Sequence, residues 1–286
     1  VQVTGTGAGG TGILGSGSGV VFDADGHILT NDHVVAAGTA YDIVTADGRI
    51  YPAELVGSDP TTDLAVLSVA AEDLRPIAVG SSDLLTVGDP AVAVGSPLGL
   101  DGGPSLTVGV ISAFGREVQT DATTRLYGML QTDAPITQGS SGGALVDSAG
   151  RLVGITTAVG VSEVGIEGIG FATPIEVVTR VADEIITTGS ASNPFLGIFG
   201  ATSFVDTADG GSIPIGVVID SIEADTAAEV AGLMAGDVIS AVNGAPVKTM
   251  DELVSLLRRY GAGTSIELTL EDDKTVPVIV GERPSA

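Results

Sequence analysis

The stretch Gln138-Gly139-Ser140-Ser141-Gly142-Gly143-Ala144 holds two serines among glycines. Glycine tolerates the tight, positive-φ turns that lift a side chain clear of its own backbone, and it lets a substrate carbonyl come close. In such a loop the N–H groups of Gly139 and Ser141 can converge on one point, which is what a developing oxyanion requires. A Ser/Gly-rich turn between two strands fits the same letters, so this stretch alone does not decide between a nucleophile and a turn.

A catalytic serine needs a base, usually a histidine that a carboxylate orients. The chain has two histidines. His27 lies in a hairpin-tip composition, Asp25-Gly26-His27, which predicts a solvated side chain. His33 follows an apolar strand pattern and is the better partner for Ser141, although a single histidine at such a place is more often structural. Asp63 is the candidate third member, but among 36 acidic residues spacing alone does not select it.

Four segments in chain order resemble the HtrA (DegP/DegS-type) serine proteases: Gly17–Val21, Leu29–Val35, Gly57–Val66 and Gln131–Gly143. They cover nearly all of the first two-thirds of the chain, and four matches in the correct order are a highly specific signal. The resemblance implies a mainly β fold, with a chymotrypsin-like double β-barrel protease domain of two six-stranded barrels followed by a PDZ domain (α+β).

The same resemblance assigns roles to individual residues. It implies that Ser141 attacks, that His33 shuttles the proton and that Asp63 fixes the tautomer of His33. Gly139 and Ser141 would form the oxyanion hole, and Ile136 would line the S1 pocket. Ser140 stands where the family usually has asparagine, and Ala144 where it often has proline, but neither is a triad position.

Two further loops are expected around the cleft. Arg116–Tyr127 is polar and occupies the position of the family's regulatory sensor loop, although an ordinary hairpin connection explains it equally well. Val159–Gly168 is rich in Gly, Val and Glu and is expected to border the specificity pocket.

The last third of the chain resembles a PDZ domain through Phe195–Ile198, Ala231–Ile239 and Val242–Val247. In that fold a peptide adds as a strand beside Ile198–Thr202, and its terminal carboxylate meets backbone N–H groups. The resemblance places those groups at Leu196, Gly197 and Ile198.

A helical stripe of apolar residues runs through Pro174–Thr188, with Gly189 placed as a C-terminal stop. The following Gly/Ser/Asn/Pro composition predicts a linker. The predicted organisation is therefore a protease domain over residues 1–189, a linker over 190–194 and a PDZ domain over 195–283.

Composition limits the partners. A formal charge of −25 disfavours nucleic acid and anionic lipid surfaces. The absence of cysteine excludes disulfides and a cysteine nucleophile. Asp23–Gly26 matches only part of a calcium loop, so neither a metal nor another cofactor is expected. No apolar run reaches the roughly 18 residues of a membrane span.

Two hypotheses about function remain. The first is a serine endopeptidase of extracytoplasmic protein quality control, in the periplasm or cell envelope, which cleaves unfolded or damaged proteins and binds C-terminal peptides at its PDZ domain. The second is a PDZ-containing chaperone or binding protein with little or no proteolysis. The resemblance also implies a homotrimer and a signal or membrane anchor upstream of Val1.

Overall fold

The chain folds mainly into β-strands, as its short apolar runs between Gly, Asp and Asn turns predict. A computed structural model describes residues 1–7, 12–71, 74–96, 103–120, 124–157 and 168–284. It divides into two compact units, Val1–Ala191 and Ser192–Ala286. Within the described ranges, no helix combines the length and apolar character needed to cross a membrane.

The first sheet of the amino-terminal unit runs in the order β2-β1-β5-β6-β7-β4-β3. Its strands are β1 (Gln2–Thr6), β2 (Ile13–Ser18), β3 (Val20–Val21), β4 (His27–Thr30), β5 (Ala40–Val44), β6 (Ile50–Asp59) and β7 (Leu64–Val69). Strands β2 and β3 are the two edge strands of this sheet, and only Gly19 separates them in the chain. Counting β2 and β3 as one interrupted strand gives the six strands that were predicted for this barrel.

The second sheet is a closed six-stranded barrel in the order β10-β13-β12-β11-β8-β9. Its strands are β8 (Pro90–Gly95), β9 (Ser105–Gln119), β10 (Arg125–Thr132), β11 (Ala144–Val146), β12 (Leu152–Thr157) and β13 (Gly170–Pro174). The loop that carries Ser141 joins β10 to β11.

In the described part of this unit the helical elements are α1 (Asp32–Val35), a 3₁₀ turn (Ser82–Leu84) and α2 (Ile175–Thr188). Helix α2 ends at Gly189, which adopts φ +84°, as the sequence predicts. Its buried stripe, including Val178, Val181 and Ile185, shares one core with Leu64 of β7 and Ile155 of β12. The helix therefore packs against strands of both sheets.

The loop predicted over Arg116–Tyr127 is wrong in its extent. Strand β9 continues to Gln119 and β10 begins at Arg125, with Leu126 paired to Val118. Both of these side chains are buried. This buried apolar cross-strand pair extends the β9–β10 pairing into the segment. The mostly polar composition of the segment gives no indication of that extension.

The second unit has a sheet in the order β15-β16-β17-β19-β20, with β18 beside β17, and a small β14-β21 pair. Its elements are β14 (Pro194–Phe195), β15 (Ile198–Asp206), β16 (Ser212–Ile222), α3 (Ala227–Val230), β17 (Val238–Val242), β18 (Ala245–Pro246), α4 (Met250–Leu257), β19 (Ser265–Leu270), β20 (Thr275–Ile279) and β21 (Gly281–Glu282). Thr249 caps α4 by accepting from the N–H of Glu252 at 3.2 Å. The sequence Thr249-Met250-Asp251-Glu252 predicts a capping box, and the apolar runs on either side of Asp272-Asp273 predict a hairpin. The structure confirms the cap and the β19–β20 pairing.

Candidate active site

His33 and Asp63 form a hydrogen-bonded pair in the first barrel. His33 sits on α1, and Asp63 immediately precedes β7. The Nδ1 atom of His33 lies 2.9 and 2.8 Å from the two carboxylate oxygens of Asp63. The backbone N–H of His33 donates to the same carboxylate at 3.1 Å. The imidazole is 47% exposed and the Asp63 side chain only 8%, so a buried carboxylate orients a histidine that remains accessible.

The environment of His33 favours its protonated form. Partial burial lowers the pKa of the imidazole, but the hydrogen bond and charge of Asp63, together with the charge of Asp32, outweigh this effect and raise the pKa above its usual value of 6.5. A raised pKa makes the ring a better proton acceptor, as a general base must be.

Asn31 forms a hydrogen bond with the backbone of Asp63. Asp63 adopts φ +55°, a conformation that side-chain-bearing residues rarely occupy. Its backbone carbonyl accepts a hydrogen bond from Nδ2 of Asn31 at 2.6 Å, and the same nitrogen lies 3.3 Å from Oγ1 of Thr157. Asn31 thus connects the Asp63 turn to β12 of the second barrel.

The loop around Ser141 is held through three successive carbonyl groups. The carbonyl oxygen of Gly139 accepts from Oγ of Ser18 at 2.7 Å. That of Ser140 accepts from Oγ1 of Thr156 at 2.7 Å, and that of Ser141 from the N–H of Ser18 at 2.7 Å. Gly139 adopts φ +89°, which explains the need for glycine there.

Gly17 brings the two halves of the site together. A Cβ atom on this residue would come within 2.7 Å of the Val34 side chain and 2.9 Å of the Ser141 carbonyl oxygen. Val34 directly follows His33, so the backbone of Gly17 lies between the histidine helix and the serine loop. No larger residue fits that position without displacing one of them.

Ile136 is half-buried and lies four residues beyond the end of β10. It packs on the core of the second barrel and against Gly170, where a Cβ atom would lie 2.6 Å from its Cδ1. Of the predicted pocket border Val159–Gly168, residues 159–167 lie outside the described residues.

His27 is not the solvated residue that its hairpin-tip composition predicts. Its Nδ1 lies 2.6 Å from Oδ2 of Asp23, and its side chain is 17% exposed. The Asp23 carboxylate folds back over the turn to reach both the ring and the backbone N–H of His27. Across the described ranges, no group of three or more His, Cys, Asp or Glu side chains is arranged to hold a metal ion.

In the second unit, Leu196, Gly197 and Ile198 form a tightly held turn before the edge strand β15. The carbonyl of Leu196 accepts from the N–H of Ala228, and that of Gly197 from the N–H of Glu223, both at 2.8 Å. Gly197 adopts φ +82°, and a Cβ atom there would lie 2.2 Å from the Thr226 side chain. The conformation of this turn therefore depends on glycine.

Comparison with known proteins agrees with both halves of the structure. The family "Trypsin-like peptidase domain" matches residues 17–155, and "PDZ domain" matches residues 218–272. The chain is 36% identical over 275 residues to the serine protease Do-like HtrA of Lactococcus lactis, covering 90% of this chain and 68% of that protein. This chain belongs to the HtrA family of serine proteases. The predicted resemblance is thereby confirmed.

Other HtrA proteins extend the match. The solved structure of the HtrA-type protease AlgW with a tripeptide is 32% identical, covers 100% of this chain and 94% of its own, and has a TM-score of 0.73. DegQ of Escherichia coli, named a periplasmic pH-dependent serine endoprotease, is 38% identical over 260 residues, or 90% of this chain and 56% of its own length. The chain spans about three fifths of the length of the curated relatives it matches. These matches confirm the predicted HtrA fold class, a double-barrel protease domain followed by a PDZ domain.

Two residues that hold the HtrA site together were not identified from the sequence. Ser18 lies within Gly17–Val21, which carries the resemblance, but no pattern in that segment gives Ser18 a role. Asn31 directly precedes Asp32-His33, and the sequence gives it no role either. Small polar residues among buried ones are the signal that could have drawn attention to both, since a buried polar group must find a partner.

Proposed function

We propose that this chain is a serine endopeptidase in which Ser141, His33 and Asp63 form the catalytic triad. The observation that carries the proposal is the pairing of the buried Asp63 carboxylate with Nδ1 of His33 at 2.8 Å. That pairing leaves Nε2 of the same ring for a nucleophile. The glycine-rich Ser141 loop, packed against Gly17 beside the histidine helix, supports Ser141 in that role.

In the proposed reaction, Oγ of Ser141 attacks the scissile carbonyl carbon while Nε2 of His33 accepts the hydroxyl proton. Asp63 stabilises the resulting imidazolium, and the N–H groups of Gly139 and Ser141 stabilise the oxyanion. Collapse of the tetrahedral intermediate expels the amine, which takes the proton from His33. Water then attacks the acyl-enzyme by the same route and releases the acid.

The proposed substrates are unfolded or damaged proteins, and the proposed domain division is a protease domain over 1–189, a linker over 190–194 and a PDZ domain over 195–283. The N–H groups of Leu196, Gly197 and Ile198 would bind the terminal carboxylate of a peptide that adds beside β15. The edge position of β15 in the described sheet supports this proposal. Ile136 would line the S1 pocket.

The proposed setting is extracytoplasmic, in the periplasm or cell envelope, where relatives such as DegQ are named as periplasmic. A homotrimer is proposed from membership of the family. Sedimentation measurements test it, because a trimer would have three times the mass of the chain.

Labelling with a fluorophosphonate probe tests the catalytic assignment. Only a serine activated by a neighbouring base reacts rapidly, so we expect fast labelling at Ser141 and none in Ser141→Ala. Ser140→Ala is the matched control because it removes the adjacent hydroxyl and should still label. Labelling lost in Ser140→Ala but retained in Ser141→Ala would show that the nucleophile is Ser140 and not Ser141. The absence of labelling in the wild type would favour the alternative, a chaperone or binding protein with a PDZ domain.

A further inference from the structure

Ser18 lies at the end of β2, in the first barrel, yet it contacts the nucleophile loop of the second. The residue is 1% exposed, and all its polar groups are used. Its hydroxyl donates to the carbonyl oxygen of Gly139 and accepts from the N–H of Ser96, both at 2.7 Å. Its backbone N–H donates to the carbonyl of Ser141, and its own carbonyl accepts from Oγ1 of Thr30 at 2.8 Å.

The hydrogen bond to the Gly139 carbonyl is the one contact in which the Ser18 hydroxyl is the donor. A backbone N–H is present whatever the residue, so alanine at position 18 would still hold the Ser141 carbonyl. The bond to Gly139 would disappear, and the Ser96 N–H would lose its acceptor. Ser18 is thus a side-chain-dependent clamp on one carbonyl of the nucleophile loop.

The backbone of Gly139 is free to rotate unless another group holds it. Glycine can occupy φ values of either sign at little cost, so the φ of +89° at Gly139 is not enforced by the residue itself. Fixing its carbonyl fixes the planar peptide unit that joins Gly139 to Ser140. The N–H groups of Gly139 and Ser141 lie on either side of that unit, so each has less freedom to turn. Pre-oriented donors are what make an oxyanion hole effective, since they need no reorganisation during the reaction.

We propose that Ser18 is a positioning residue for acyl transfer: its hydroxyl holds the Gly139–Ser140 peptide unit, which lies between the two oxyanion donors, the N–H groups of Gly139 and Ser141. This inference rests on the proposed protease function. It adds a residue of the first barrel, far in sequence from the nucleophile, to the groups that determine the rate. Ser18 touches neither the substrate nor His33 in this scheme and acts through Gly139.

The test compares Ser18→Ala with Ser82→Ala in peptide hydrolysis, with each rate expressed per site that fluorophosphonate labels. Ser82 is the matched control: it is also a buried serine, and its hydroxyl bonds the Glu176 carboxylate instead of the nucleophile loop. We expect kcat per labelled site to fall about 10- to 100-fold in Ser18→Ala, less than the loss of a whole oxyanion donor. KM and the midpoint of the pH profile should not change, and Ser82→Ala should retain the wild-type kcat.

A purely structural role for Ser18 would reduce the number of sites that label and leave the rate per site unchanged, and that result would overturn the proposal. If Ser18→Ala does not fold, Ser18→Cys keeps the side-chain volume with a much weaker donor, and the same fall in kcat is expected. A wild-type rate per site in the Cys variant would also overturn it. If the wild type and Ser82→Ala neither label nor hydrolyse peptide, the protease function itself is wrong, and that outcome is distinct from a failure confined to Ser18.

Discussion

Nδ2 of Asn31 lies 2.6 Å from the backbone carbonyl oxygen of Asp63 and holds that residue at φ +55°. The arrangement has a cost: among the described residues, Oδ1 of Asn31 is the buried side-chain atom left without a hydrogen-bond partner. A buried oxygen without a partner is unfavourable. The role of the Asn31 amide in orienting Asp63 explains why this cost is tolerated.

Replacing Asn31 with alanine should therefore weaken the site as well as the fold. We expect a loss of about 1–3 kcal/mol in the free energy of unfolding, because the buried carbonyl of Asp63 loses its donor. The peptidase rate should fall further than the folded fraction does, since the carboxylate that orients His33 rests on this turn. Denaturant unfolding and peptide hydrolysis measure the two effects. A destabilised variant with full activity would show that the turn keeps its shape without Asn31.

The pH dependence of the reaction follows from His33. Attack requires the neutral ring, and because the pKa of His33 is raised, this form becomes the major one at a higher pH than for an ordinary histidine of pKa 6.5. The rate should rise through one ionisation as the pH increases and then reach a plateau. Because the charge of Asp32 helps to raise the pKa, Asp32→Asn should move this rise to lower pH. A rate that is flat from about pH 5 to about pH 9 would exclude imidazole as the base.

The sequence predicts the elements with strong local patterns. The short apolar run Leu64–Val69 predicts a strand, and β7 has these bounds. The helix predicted over Pro174–Thr188 begins one residue later, at Ile175. Both depend on the periodicity of adjacent side chains, which is visible in a single sequence. Gly189 adds a stop signal of the same local kind.

The contacts that organise the candidate active site are of another kind. Ser18 and Gly139 are 121 positions apart, and Asn31 and Asp63 are 32 apart. A hydroxyl or amide that bonds a distant carbonyl leaves no periodic trace, because every residue offers the same carbonyl. The resemblance supplied the candidate triad, but the groups that hold it in place required the three-dimensional structure.

Glu176 should make stability depend on pH in the acidic range. Partial burial raises the pKa of this carboxyl, but hydrogen bonds from Ser82 and Ser81 outweigh it and lower the pKa below 4.5. A group whose pKa is lower in the folded state stabilises the fold above its unfolded pKa, and the contribution is lost as the pH falls through the folded value.

The Glu176→Gln variant measures that contribution. Near neutral pH we expect it to be less stable than the wild type by about 1–2 kcal/mol, since hydrogen bonds to a charged acceptor are the stronger kind. The difference should vanish as the wild-type carboxyl becomes protonated. Glu54→Gln, at an exposed position, is the control and should show little change. An equal loss at acidic and neutral pH would mean that the charge of Glu176 is not what stabilises this contact.

Specificity provides a further prediction. Ile136, the proposed wall of the S1 pocket, is apolar and already packed against Gly170. Among the described residues, this proposed wall offers a cationic P1 side chain no counter-charge, so we expect cleavage after small or medium apolar residues such as Val, Ala or Leu. A peptide-library profile dominated by Arg or Lys at P1 would contradict this assignment.

Gly197 provides the sharpest test of the proposed carboxylate site in the second unit. Alanine there would place a Cβ atom 2.2 Å from Thr226 in a backbone conformation with φ +82°, so the turn must change shape. We expect Gly197→Ala to weaken binding of a fluorescent peptide with a free, apolar C-terminal residue by about tenfold or more, as loss of one carboxylate hydrogen bond would.

Gly232→Ala is the matched control, because Gly232 has a similar φ of +76° but no atom within 4 Å of the added Cβ. Both variants bear the backbone penalty of a side chain at positive φ, and only Gly197→Ala distorts the proposed site. Fluorescence polarisation, with the C-terminally amidated peptide as a second comparison, measures the difference. If the two variants bind the free-acid peptide equally well, the terminal carboxylate is bound elsewhere.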